Sequence, residues 1–178
     1  MRPEDMLHTS LRESCDELFE SIQLNLRAAV GRARGADVRG SQLAAMIGFL
    51  GPHIKGSLLI HAPVSFFAGT FPVATDDGEH TLRQLSDWAG EIANQLLGRM
   101  KNKLMVRGVH LSVTTPVMMF GDYLKGTDVY DGTLALTLPW HDGEISVRFD
   151  MKLGPEFQLI DQASDALRPV EAGEALIF

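Results

Sequence analysis

Between positions 87 and 98 the chain reads Asp-Trp-Ala-Gly-Glu-Ile-Ala-Asn-Gln-Leu-Leu-Gly. Four of these residues can do chemistry or admit a partner: Asp87, Glu91, Asn94 and Gly98. On a helix their spacing puts them on one side, with Glu91 and Asn94 about one turn apart and pointing the same way. A carboxylate offers charge-assisted hydrogen bonds to a cationic group. An amide offers both a donor and an acceptor and stays neutral at any relevant pH. Acidic residues on a helix surface are most often simply solvated. The glycines weigh against that here. Gly90 and Gly98 both fall off the apolar side, and each costs about 1 kcal/mol relative to alanine. A solvated face gains nothing from that loss. A face approached closely by another backbone does, and packing of a strand of the same chain would demand the same thing.

The element that must position these residues is a long amphipathic helix from about Thr81 to about Val106, with Gly108 as its stop signal. Leu82, Leu85, Ala89, Ile92, Leu96, Met100 and Lys103 line one side, all apolar except the last. Asp87, Glu91, Asn94 and Gly98 fall opposite at about 100° per residue. A first helix is predicted over Glu4 to Val30 from Met6, Leu7, Leu11, Leu18, Phe19, Ile22 and Leu26, with a loop from Gly31 through Gly40. Cys15 falls on that stripe and reads as a small buried hydrophobe. Strands are predicted at Gln42–Leu50 and Ile54–His61, joined by a Gly51-Pro52 turn. A short helix or turn is expected over Pro63–Phe71, and a loop at Thr75–Gly78. Further strands are predicted at Val109–Phe120, Thr133–Trp140 and Glu144–Leu153, the last two joined at His141-Asp142-Gly143. This order, dominated by hairpins and without a βαβ repeat, predicts an α+β domain: two long helices packed on a largely antiparallel sheet. Residues 1–154 read as one domain. Residues 155–178 read as a C-terminal tail that docks through Phe157, Leu159, Ile160 and the terminal Ala-Leu-Ile-Phe.

Composition narrows the function classes. The chain has 178 residues, 45% hydrophobic and 22% charged, which suits a folded domain rather than a disordered segment. The net charge is −7, with no run of Lys and Arg, which argues against a nucleic-acid partner. The single cysteine excludes a disulfide framework and a cysteine zinc site, and fits a reducing cytoplasm. The opening Met-Arg-Pro-Glu-Asp-Met lacks the apolar core of a signal peptide, and the apolar runs are too short to insert in a membrane. The six histidines are scattered without ligand spacing, so no metal site is expected. His53 and His61 read as ordinary strand histidines, and Trp88 and Trp140 as packing residues. Ser14-Cys15-Asp16 has no nucleophile context, and Gly48, Gly51 and Gly56 form no phosphate-binding pattern.

The Asp87-x-x-x-Glu91-x-x-Asn94 run, followed by Gly98 and Lys101, resembles the helix motif Asp/Ser-x-x-x-Glu-x-x-Asn-x-x-x-Gly-x-x-Lys/Arg of the CheC, CheX and FliY phosphatases. Downstream, Pro116-Val-Met-Met-Phe-Gly121 resembles the Pro-x-x-x-x-Gly strand that follows this helix in the family. The likeness is firm over residues 81 to 121. One copy of the helix motif is present, which resembles CheX rather than the two-copy CheC. The resemblance implies a phosphatase acting on the aspartyl phosphate of a CheY-like response regulator. It assigns Asn94 to orienting the attacking water and Glu91 to pairing with a lysine of the receiver. Asp87 and Gly98 are left to shape the partner-binding face. It implies no cofactor on this chain, Mg²⁺ held by the partner receiver, and a homodimer. Two rivals stand beside it: a non-catalytic domain that docks a receiver or a motor component, and a structural domain whose helix face is merely solvated.

Overall fold

A computed structural model describes residues 3–22, 41–72, 80–122, 124 and 132–160. Its elements, in chain order, are α1 (Pro3–Ser21), β1 (Gln42–Gly51), β2 (Ile54–Pro63), α2 (Val64–Gly69), α3 (Leu82–Met105), β3 (Ser112–Val113), β4 (Val117–Gly121), β5 (Leu134–Trp140) and β6 (Gly143–Leu153). The expected continuation of the first helix to Val30, the loops at Gly31–Gly40 and Thr75–Gly78, and the chain beyond Ile160 lie outside the described residues.

The strands form one antiparallel sheet in the order β3-β1-β2-β6-β5, with β4 also paired to β1. The β1–β2 connection needs only Pro52 and His53. His53 has φ +61°, so proline at the second turn position and positive φ at the third match a type II turn. His141 and Asp142 likewise connect β5 to β6.

Alternation along the strands sorts the two faces. Leu43, Ala45, Ile47 and Phe49 of β1 point to the helical side with Leu58 and Ile60 of β2 and Val147 and Phe149 of β6, and all are buried. Phe49 and Phe149 stack there with ring centroids 4.5 Å apart. α3 lies against this face and contributes Leu85, Ala89, Ile92, Leu96 and Met100 to the same core. α1 packs on α3 as a further layer, and Phe19 meets Phe66 of α2 edge-on at 6.4 Å. The one polar member of the α3 stripe, Lys103, tethers the two helices: its Nζ lies 2.6 Å from Glu17 and 3.3 Å from Glu13.

One predicted element divides in two. Val109–Phe120 is not a single strand but β3 and β4, interrupted at Thr114, Thr115 and Pro116. Phe49 pairs with Val113 and Met46 with Val117, so three residues stand opposite Ile47 and Gly48. That is a bulge of one extra residue. Thr114 closes it from both sides: its backbone N–H donates to the Gly48 carbonyl, and its Oγ1 accepts from the Gly48 N–H, each at 2.9 Å. Pro116, lacking an N–H, sits where no ladder bond is required of it.

Beyond β6, Phe157 and Leu159 pack against the core, and the Ile160 N–H donates to the Arg107 carbonyl at 3.1 Å.

Candidate functional site

α3 is bounded by strong local signals. Thr81 is its N-cap, accepting from the Gln84 N–H at 3.3 Å, while the Gln84 side chain accepts from the Thr81 N–H at 2.9 Å. This reciprocal capping box fixes the first turn and hence the rotational phase of everything after it. At the other end Gly108 adopts φ +84°, a left-handed conformation that suits glycine at a helix stop. Between these limits the buried stripe holds the helix on the sheet, so its opposite side must face solvent.

The four sequence-predicted site residues come together there. Asp87, Glu91 and Asn94 are exposed, and Gly98 is half-buried one turn beyond the amide. Among the described residues a Cβ built at Gly98 would meet nothing within 4 Å, so this glycine does not pack on the sheet. Gly90 differs. It is buried, and a Cβ there would lie 3.4 Å from Met118 Sδ and 3.5 Å from Pro116 Cγ. The β4 segment occupies the space beside Gly90, so Gly90 serves packing within the chain.

Two flanks of the site were not singled out from sequence. On one side Gln95 Nε2 donates to Glu91 Oε1 at 2.9 Å. Gln95 is four residues on from Glu91, so this neighbour was legible in the spacing. Arg99 in turn donates to the Gln95 carbonyl at 3.3 Å and to Ser21 Oγ of α1 at 3.2 Å. On the other side Pro116 and Met118 rise beside Gly90. No local pattern announces that contact, because it depends on where β4 joins the sheet.

The face is polar, open and shallow. It offers an amide that can both donate to and accept from a water, and a carboxylate that accepts from Gln95 and has further lone pairs for a cation. Such a surface suits a macromolecular substrate that brings its own reactive group. A cavity of about 190 Å³ lies elsewhere, at the β1–β2 turn, lined by residues such as Leu50, His53, Lys55 and Lys152 and by none from α3.

The remaining reactive residues have structural roles. Cys15 is buried, and burial, with the nearby Asp16 charge, pushes its thiol well above the ordinary range, away from a thiolate. His61 is half-buried and hydrogen-bonded to Gln42, and desolvation lowers its pKa. Ser65, Asp142 and His141 adjoin, but in the wrong order for a nucleophile. Ser65 Oγ donates to Asp142 at 2.7 Å, and His141 approaches the carboxylate at 3.4 Å rather than the hydroxyl. Among the described residues no three His, Cys, Asp or Glu side chains gather to hold a metal ion, and no helix is long and apolar enough to cross a membrane.

A family model described as Chemotaxis phosphatase CheX matches residues 43–138, more than half of the chain. No curated protein matches. Among solved structures, a CheC-like superfamily protein from Shewanella sp. PV-4 superposes with a TM-score of 0.70 at 19% identity, covering 85% of this chain and 99% of its own. The chemotaxis protein CheX from Vibrio vulnificus gives 0.63 at 18% identity, covering 83% and 95%. The CheX of a CheX-CheY-BeF₃-Mg²⁺ complex from Borrelia burgdorferi gives 0.56 at 15% identity, covering 81% and 96%. At these identities the likeness is one of fold.

Proposed function

The chain belongs to the chemotaxis phosphatase CheX family, and from that premise we propose that it hydrolyses the aspartyl phosphate of a CheY-like response regulator. The observation that carries this reading is the pairing of Glu91 and Asn94, both exposed, one turn apart on a helix whose opposite side is buried.

In the reaction, a water oxygen bonds to phosphorus as the bond from phosphorus to the aspartyl oxygen breaks. Inorganic phosphate and a free carboxylate result. Little covalent work falls to the phosphatase, and rate comes from positioning and electrostatics. Asn94 orients the water in line with the leaving oxygen, accepting from it and donating to it without adding charge. A carboxylate there would repel the phosphoryl oxygens. Glu91 pairs with the receiver lysine and so sets the register of docking. Asp87 shapes the rim, and Gly98 lets the receiver backbone come close to the helix. The Mg²⁺ of this chemistry belongs to the receiver.

The same reading places the chain in the cytoplasm as a homodimer joined through its sheet. Support for the second copy comes from the face turned away from the helices. By register, Met46, Leu50, Val117 and Met119 point there, and all four are exposed.

Phosphate release from a phosphorylated CheY-type receiver tests the proposal. The wild-type chain accelerates it, and Asn94→Ala abolishes the acceleration while leaving the fold and receiver binding in place. Full activity in Asn94→Ala removes the mechanism. A wild-type chain that binds the receiver without releasing phosphate leaves a docking domain.

A further inference from the structure

β4 is an edge strand, and its two faces expose apolar side chains for different neighbours. Met118 pairs with Ala45 and Phe120 with Leu43, both residues of the buried helical face. Yet Met118 is 38% and Phe120 50% exposed, since among the described residues no strand pairs with the outer side of β4. These two side chains therefore form an apolar rim on the same side of the sheet as α3.

That rim borders the site directly. Met118 and Pro116 meet the helix at Gly90. At about 100° per residue, Gly90 stands roughly 60° from Asp87 and roughly 40° from Asn94 around the helix. Gln95 lies on the far flank, beside Glu91. A body resting on Glu91 and Asn94 is thus bounded by a hydrogen-bonded amide on one side and by exposed Met118 on the other, with Phe120 further along β4 on the same side of the sheet.

We propose that Met118 and Phe120 form the apolar half of the receiver-docking surface; this rests on the reading of the Asp87–Asn94 face as the receiver site. The polar half cannot hold a partner well by itself. Exposed ion pairs contribute little while water competes for them. An apolar anchor beside such a pair supplies contact area and excludes water, which strengthens the charged contact. Methionine suits the role because its unbranched thioether adapts to an uneven surface. The receiver is favoured over a second copy by continuity. Met118 adjoins the catalytic face at Gly90 and Phe120 shares its side of the sheet, whereas Val117 and Met119, their sequence neighbours, point to the opposite side.

Serine substitutions on the full-length chain separate the two faces. Steady-state phosphate release is measured against receiver concentration, with light scattering on the same samples. Met118→Ser and Phe120→Ser are expected to raise KM, the pair together by about tenfold or more, with kcat and molecular mass unchanged. Met118→Leu stays within about twofold of wild type. Met119→Ser leaves KM alone. Unchanged KM in the Met118→Ser and Phe120→Ser proteins overturns the proposal, and so does a change of mass in Met118→Ser matching that in Met119→Ser, which would give the rim to a second copy. Titration with beryllofluoride-loaded receiver keeps the two claims apart. If the wild type binds but releases no phosphate, the phosphatase reading fails alone, and weaker binding by Met118→Ser still supports the rim. A wild type that does not bind overturns both.

Discussion

Replacing Gly98 separates a folding role from an interface role, because the helix and the partner make opposite demands on that position. Glycine in a helix interior is worse than alanine by about 0.8–1 kcal/mol, through backbone entropy. Whether alanine recovers that energy depends on space. At Gly98 an added Cβ meets nothing within 4 Å among the described residues, so no steric term from them offsets the gain. Gly98→Ala is therefore expected to stabilise the protein by about 1 kcal/mol, which in a domain of this size raises Tm by about 2–4 °C. Leucine, also a good helix former, is expected to give a folded protein of at least wild-type stability. If a receiver packs against this turn, the leucine side chain pushes it away. Displacement of about 1 Å misplaces the water held by Asn94 and slows turnover on the order of a hundredfold. The assay pairs a thermal melt with receiver dephosphorylation on the same samples. Gly90→Leu is the internal control. Pro116 and Met118 already lie within contact distance of its Cβ, so leucine there is expected to cost about 1–3 kcal/mol by overpacking. A Gly98→Leu protein with wild-type turnover refutes the close approach. A destabilised Gly98→Ala protein refutes the placement of that face.

Glu91→Ala is expected to weaken binding of an activated receiver by about 2–5 kcal/mol, the cost of removing one member of a desolvated charged pair, and calorimetry showing unchanged affinity removes the assignment. Lys103→Met keeps the aliphatic stem between α1 and α3 but loses the ion pairs, and should cost about 0.5–1 kcal/mol in urea denaturation, given how exposed Glu13 and Glu17 are. Burial alone would lower the Lys103 pKa, but hydrogen bonds and charge from Glu17 and Glu13 outweigh it and the net shift is upward. The stabilisation is thus full below about pH 10.5 and is lost as pH rises through the folded-state value, so the wild-type and Lys103→Met curves should converge at high pH. The opposite sign applies to His61, whose pKa burial lowers from 6.5. The unfolded chain then binds the proton more readily, so wild-type stability falls as pH drops below about 6.5, and His61→Gln should lack that component when unfolding is followed by circular dichroism across the range.

The helix face was legible in the sequence because everything that defines it is local. The 3.6-residue period of Leu85, Ala89, Ile92, Leu96 and Met100 fixes which side is buried, and the Thr81–Gln84 box fixes where the turn count begins. Given those, Asp87, Glu91, Asn94 and Gly98 had to share the remaining side. The hairpins were legible for a similar reason, since their turns are set by two residues each. Gly90 was not. Both helix glycines carry the same local signal, and only the arrival of Pro116 and Met118 beside one of them tells the packing glycine from the open one.

Tertiary structure also decided which face each β4 side chain takes. Read as one strand, Val109–Phe120 alternates without interruption, so Val113, Val117 and Met119 would share a face. The extra residue at Thr114–Pro116 shifts the register by one, and a shift of one residue moves every later side chain to the other side of the sheet. Val113 consequently points toward the helices and Val117 away from them, and Met118 and Phe120 reach the rim beside α3. The physical cause is pairing at a distance. Gly48 of β1 ties down Thr114 sixty-six residues later, and no pattern within either segment records that the two will meet.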